Sequence, residues 1–443
     1  MITQKFVDRE EELKTLRRAF KKGALIVVYG RRRVGKTRLL QEFAKGKDAF
    51  FFTFPQAVKE VQIREFLREL SAFLGDETVL EMKPDSWLPV LKYMAKEVDD
   101  VLIVLDEFTY AIKSDRTILS HLQQVWDHYL SNKEVMLVLS GSLLGMLWDD
   151  VLSYASPLYG RRTRSIHLKP LNYVNSLKFF EDNFYGIEAY MLVGGIPPYL
   201  RLASRYSSLE EFVREEFLSD YGFFYDEPYI ILGEELRELR VYFSILRAIA
   251  EGNRRLEEIA NYLGLPARSV YPYIDTLMRL GLVEKETPIL GSRRVSLYRI
   301  ADPVLLTWFT LTYPQLEEIS QGTASLANLY KVLSRRFEDL AREFLILKRP
   351  IDFERIGRWW FKGEEIDILA LDKNVAYLIE VKWSDLRERD AKKVLSSLKE
   401  KAKKVKFEGD IRLGLIARSV EKKDELKSEG FLVWDLSDIV ASR

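Results

Sequence analysis

The chain has no cysteine and only three histidines among its 443 residues. Disulfides and cysteine-ligated metals are thereby excluded, and a histidine-built zinc enzyme is disfavoured. No stretch of about 20 residues is predominantly apolar and free of charge, so no membrane span is expected. The first residues, MITQKFVDREEELKTL, carry acids early and no apolar segment. That reads against an export or transit signal and places the chain in the cytoplasm. The formal net charge is +1. The whole chain is therefore no polyanion binder, and any contact with nucleic acid must come from local patches. Internal repeats and low-complexity tracts are also lacking. What is present is a 47% hydrophobic share, ample for ordinary cores, in a length that suits two to four domains.

Leu25 to Leu40 reads LIVVYGRRRVGKTRLL. An apolar run leads into Gly30, Arg31, Arg32, Arg33, Val34, Gly35, Lys36 and Thr37, then Arg38 and a helical continuation. This is G-x-x-x-x-G-K-T between a buried strand and a helix, the context the phosphate-binding loop requires. Its backbone N–H groups would face a phosphate chain of ATP or ADP. Lys36 would reach the β- and γ-phosphates in binding and catalysis, and Thr37 would hold Mg²⁺. The helix N-terminus adds its positive dipole end.

Val101 to Glu107, VLIVLDE, is a buried strand ending in two carboxylates. Ligands bind at such carboxyl ends in open α/β sheets. Asp106 would position Mg²⁺ and Glu107 would polarise the attacking water as general base. Val135 to Leu139 is a further strand, ending in Ser140-Gly141-Ser142. Its serines either sense phosphate or, at Ser142, cap the helix that follows. Arg161 and Arg162, before a strand at Arg164–Leu168, could stabilise phosphate charge in cis or from a neighbouring subunit; solvated arginines are the plainer reading.

FVDREEELKTL, GRRRVGKT, VLIVLDEF, LSGS, PLYGRR and Gly194-Gly195-Ile196-Pro197 together resemble the archaeal ATPase family. That family belongs to the signal-transduction-type P-loop ATPases related to AAA+ proteins. The resemblance covers about residues 2–230. It implies an extra strand between the P-loop strand and the Asp-Glu strand, and a helical lid. It also implies that Phe6, Val7 and Arg9 lie near the adenine end, and that the turn ending in Pro197 approaches the nucleotide from the lid.

Tyr242 to Ile300 changes rhythm. Three helices (243–250, 256–262, 269–280) and a hairpin across 287–294 resemble a winged helix-turn-helix. The third helix of such a fold enters the major groove. Arg268, Tyr271 and Tyr273 would face out of it, and Arg293 and Arg294 would sit on the wing near phosphates. Pro272 fits cheaply only if the helix starts late, with Ser269 as N-cap. The competing role is inter-domain packing.

Residues 331–443 alternate again. Asp367 lies on one expected strand; Glu380 and Lys382, two apart on the next, share a face. Two carboxylates on adjacent strands make a hard oxygen site for Mg²⁺ or Mn²⁺. A lysine beside them can orient water and neutralise developing phosphate charge. With Glu338 on the preceding helix and a lysine-rich helix at Arg389–Lys404, the segment 331–434 resembles restriction-endonuclease-like D…E-x-K nucleases. Glu364, Glu365 and Asp372 read as solvated turn residues. The alternative is an inherited scaffold with a silent site.

The expected fold is α/β: a P-loop ATPase core (1–175), a helical lid (176–235), a winged helix-turn-helix (236–310), a linker helix (311–330) and a restriction-endonuclease-like domain (331–443). The whole chain resembles archaeal ATPases with such a C-terminal extension. The expected activity is a Mg-ATP-dependent switch coupled to DNA binding or metal-dependent cleavage, in a chain that could self-associate. The rival is a nucleotide-bound regulator of DNA or protein that turns over little.

Overall fold

The computed structural model describes residues 6–20, 23–291 and 296–441. It divides into two compact units, Met1–Pro170 and Leu171–Arg443. No helix of the described residues is long and apolar enough to cross a membrane.

The first unit is built on five strands: β1 (Ala24–Tyr29), β2 (Ala49–Thr53), β3 (Leu102–Asp106), β4 (Met136–Gly141) and β5 (Arg164–His167). They lie in the order β2-β3-β4-β1-β5, and every pairing is parallel. β4 is the strand inserted between the P-loop strand and the Asp-Glu strand. β1, β3 and β4 are buried along their whole length. Parallel strands covered on both faces need such continuous apolar runs. Burial of each large side chain is worth about 1.5–3 kcal/mol, and Phe50, Phe54, Phe66, Trp87 and Phe108 cluster edge to face on one side. The N-terminal helix runs Glu10–Ala19, with Leu13 and Leu16 buried. Its C-cap, Phe20, is extended and packs on Phe43.

The second unit begins with short helices, among them Asn183–Val193, Pro197–Ala203 and Phe223–Glu235. Helices Leu239–Ala250, Leu256–Leu263 and Ala267–Arg279 follow, with a two-stranded hairpin of β6 (Val283–Glu286) and β7 (Leu297–Ile300). The third helix does not start late. It begins at Ala267 with Pro266 as N-cap, so Pro272 lies inside it. An interior proline costs roughly 3 kcal/mol; burial of Val270, Ile274 and Leu277 on the same helix offsets that cost.

A helix, Leu329–Lys348, leads into β8 (Arg355–Phe361), β9 (Glu364–Leu371), β10 (Val375–Leu386), β11 (Asp410–Val420) and β12 (Leu432–Asp435). Their order is β12-β11-β10-β9-β8. β8, β9 and β10 are antiparallel neighbours, while β10, β11 and β12 run parallel. Glu364 and Glu365 are strand residues, not turn residues as expected, and pair with Phe361 and Trp360. After β6, Ile289 and Leu290 pack on the cluster around Trp359 and Ile366, and the Ile289 N–H donates to the Arg358 carbonyl at 3.0 Å. The wing thus packs against the C-terminal sheet.

Candidate functional site

β1 delivers the chain into the loop Gly30–Thr37, and Gly35 is the N-cap of the helix Lys36–Ala44 at φ 101°. That left-handed value suits glycine. Lys36 is buried, and its Nζ donates to the carbonyls of Gly30 (2.9 Å) and Arg31 (3.2 Å). Arg31 and Arg33 are half-buried, Arg32 and Arg38 exposed, and Val34 is core.

Thr37 Oγ1 donates to Asp106 Oδ2 at 2.6 Å. Asp106 is fully buried, and its Oδ1 has no hydrogen-bond partner among the described residues. A buried carboxylate with one oxygen unsatisfied, beside a threonine hydroxyl at the mouth of a phosphate-binding loop, fits a hard divalent cation. The next residue, Glu107, has φ 50°. Ser142 Oγ donates to Glu107 Oε2 at 2.8 Å. The helix beyond is capped at Leu143 with no side-chain bond. The Ser142 hydroxyl thus donates to Glu107.

Arg9 is buried, with φ 79°. Its Nη2 donates to the carbonyls of Val34 (3.2 Å) and Lys169 (2.8 Å), and its Nη1 to Glu12 (3.3 Å). Burial holds its pKa below the usual arginine value. The guanidinium ties the N-terminal helix to the P-loop backbone. Phe6 and Val7 are half-buried just before it. Arg161 is held by Asp127 through Nε (2.7 and 3.0 Å) and Nη2 (2.7 Å), so its fork is already occupied. Arg162 is half-buried, near enough to Tyr29 to act on its phenol electrostatically.

In the second unit, Pro197 is the first residue of its helix. The preceding turn is fixed at Gly195, where a Cβ would meet the Leu171 carbonyl oxygen at 1.8 Å. Of the helix-turn-helix candidates, Arg268 and Tyr271 are exposed on the third helix. Tyr273 is half-buried, and its exposed hydroxyl is already engaged. Its ring packs edge-on against Tyr242, and its hydroxyl donates to Glu238 at 2.6 Å. Arg293 and Arg294 lie outside the described residues.

The C-terminal acids come together as the strand register requires. The Val381 N–H donates to Asp367 Oδ2 at 2.8 Å, and Lys382 Nζ reaches Asp367 at 3.4 Å and Glu380 at 2.8 Å. Burial, then Glu380 and Glu338, push the Asp367 carboxyl up to about 7. Burial also opposes ionisation of Glu380, but Lys382 and Lys401 outweigh it and hold that carboxyl below its usual value. Glu338 does not join them directly. Its carboxylate is paired with Arg358, whose Nη1 binds Glu365 at 2.8 Å. Among the described residues, no three His, Asp or Glu side chains are arranged to hold a metal ion.

Sequence reasoning missed Lys401, which donates to Glu380 at 2.7 Å and to the Glu365 carbonyl at 2.8 Å. It also missed a buried network in which Arg299, Arg336 and Arg342 surround Asp339. These arginines and Arg358 hold Asp339 well below the carboxylate range. The only sequence signal was arginines recurring along a helix with a buried face.

A parallel sheet in this order, with a P-loop and an Asp-Glu strand, defines a P-loop ATPase. Residues 6–203 match the family described as an ATPase domain predominantly from Archaea. Residues 239–287 match the IclR helix-turn-helix domain, and 308–394 a family of archaeal and bacterial proteins of unknown function. An uncharacterised protein of Methanocaldococcus jannaschii is 35% identical across 98% of this chain and 99% of its own length. An uncharacterised ATP-binding protein of the same organism is 52% identical over 44 residues, 10% of this chain and 75% of its own. The fold is similar to that of the Walker-type ATPase of Pyrococcus abyssi, with TM-score 0.50 and 23% identity, across 69% of this chain and 97% of that one. The chain belongs to this family of archaeal ATPases, with a helix-turn-helix and a C-terminal mixed-sheet domain appended.

Proposed function

We propose that the protein is a Mg-ATP-dependent switch that couples nucleotide state to DNA binding. One observation carries the nucleotide part of this reading: Thr37 and Asp106 meet at 2.6 Å, with Asp106 Oδ1 left without a hydrogen-bond partner among the described residues. Thr37 and Asp106 would hold Mg²⁺, which when bound neutralises phosphate charge. Lys36 would exchange its two loop carbonyls for phosphate oxygens, a charge-assisted and stronger bond. Glu107 gives one oxygen to Ser142 and keeps the other to accept a proton from water. Arg9 holds the loop. The segments 1–175, 176–235, 236–310, 311–330 and 331–443 are the working domains of this reading. Self-association is compatible with it.

Titration calorimetry tests the nucleotide site. Lys36→Ala should lose ATP and ADP affinity by at least tenfold, and Glu107→Gln should bind ATP but release no phosphate. Equal affinity in Lys36→Ala would refute the P-loop assignment.

The second reading is metal-dependent cleavage of DNA at Asp367, Glu380 and Lys382, favoured by their convergence within 2.8–3.4 Å of one ammonium. The opposing observation is that Arg358 occupies Glu338 and Lys401 occupies Glu380. Incubation of plasmid, single-stranded and branched DNA with Mn²⁺ or Mg²⁺, with and without ATP, decides between cleavage and a scaffold role.

A further inference from the structure

A cavity of about 230 Å³ lies in the second unit, where the winged helix, the helix Leu329–Lys348 and the C-terminal sheet meet. Four arginines line it, Arg254, Arg299, Arg335 and Arg358, together with four carboxylates, Glu338, Asp339, Glu365 and Asp367. We propose that this cavity binds a phosphate-bearing ligand one nucleotide in size.

The argument starts from the hydrogen bonds of the arginines. Arg358 gives Nη1 to Glu365 and Nη2 to Glu338. Arg299 gives Nη1 to Asp339 (2.6 Å) and Nη2 to Glu284 (2.5 Å). Arg254 gives Nη2 to Glu286 at 3.1 Å. In each of the three, the buried Nε–H has no hydrogen-bond acceptor among the described residues. Arg299 Nε does lie 3.0 Å from Glu286, but out of line for a hydrogen bond. Buried donors without acceptors are costly, and charged donors most of all. Arg335 has a backbone partner, the Ala250 carbonyl at 2.7 Å.

The carboxylates lining the cavity are engaged elsewhere, and Glu286 reaches the Arg299 and Arg358 Nε atoms as an ion pair only, at 3.0 and 3.8 Å. Glu338, Asp339 and Glu365 are already bonded to arginines. Asp367 is bonded to the Val381 N–H and Lys382. Burial and Arg254 lower the Arg335 pKa, against the opposing pull of Glu338. A phosphate brings both negative charge and several acceptor oxygens, and guanidinium forks match that geometry. Ile249, Ile300, Leu306 and Tyr298 also line the cavity and supply apolar surface for a sugar or base. The volume falls below the roughly 300–1,000 Å³ of drug-sized pockets, which fits one nucleotide and not a duplex. The site needs the arginines and not cleavage by Asp367, so it stands apart from the nuclease reading.

The test uses the full chain saturated with ADP, so that the P-loop is filled. Inorganic phosphate, dAMP and deoxyadenosine are titrated calorimetrically. One dAMP should bind per chain, phosphate more weakly, and deoxyadenosine not at all. Arg254→Ala and Arg335→Ala should each weaken dAMP at least tenfold, with ADP affinity unchanged as the check on folding. Should either alanine variant fail that check, Arg254→Lys and Arg335→Lys, which keep the charge but lose the fork, should show the same loss in milder form. Absence of dAMP binding to the ADP-saturated chain would overturn the proposal and leave the cavity to water. So would dAMP affinity indifferent to both arginines, or deoxyadenosine binding as tightly as dAMP.

Discussion

Ser142 Oγ donates to Glu107 Oε2 at 2.8 Å, across the ends of β4 and β3. The bond engages one Glu107 oxygen and fixes the orientation of the carboxylate. If Glu107 activates water as proposed, Ser142 acts as its positioning residue. Ser142→Ala should lower the kcat of ATP hydrolysis about tenfold, in line with roughly 1.5–3 kcal/mol for a hydrogen bond to a charged group. KM should stay within twofold, and Ser142→Thr should recover part of the rate. A variant that hydrolyses ATP at the wild-type rate would remove Ser142 from this role.

Arg9 bonds two carbonyls and Glu12 from a buried position. Arg9→Ala strips these acceptors and opens the base of the P-loop. Each lost bond to the guanidinium is worth roughly 1.5–3 kcal/mol, and each kcal/mol shifts Tm by about 2–4 °C in a domain of this size. A drop of at least 5 °C is expected by calorimetry, partly reversed by saturating ADP. Arg9→Lys should remain low, because an ammonium cannot span the same acceptors. Unchanged Tm and ADP affinity in Arg9→Ala would show that the contacts are incidental.

Asp367 gives a pH signature. Its folded pKa, about 7, lies above the usual value of about 3.9. The folded state then holds the proton more tightly than the unfolded state. The stabilisation from this group is fully present below about pH 4 and is lost as pH rises through 7. Asp367→Asn removes that slope. In EDTA at pH 8 the variant should melt above wild type, and the gap should close toward pH 4. Parallel melting curves across that window would refute the assigned environment.

On the third helix of the helix-turn-helix, Arg268 and Tyr271 are exposed and Tyr273 is bonded to Glu238. Arg268→Ala should weaken DNA binding across sequences and flatten its salt dependence by about one phosphate contact. Tyr271→Ala should weaken it further, whereas Tyr273→Phe should leave affinity unchanged in a gel-shift or anisotropy titration. Full affinity after loss of both Arg268 and Tyr271 would assign the module to packing alone.

Contiguous chemistry was legible without coordinates. The P-loop is a strand, a turn and a helix in one stretch, and Asp106-Glu107 end an apolar run. Glu380 and Lys382 share a strand face by period two. Local periodicity and glycine placement determine such features, and the order of the motifs determines the family. The partners of buried cations were decided only in three dimensions. Arg9 finds Val34 and Lys169, Glu338 is taken by Arg358, and Lys401 closes on Glu380. Tyr273 likewise finds Tyr242 and Glu238 on a neighbouring element. Each of these pairs joins separate elements. A buried charge must find its counter-charge wherever packing brings one, and no sequence spacing encodes that choice.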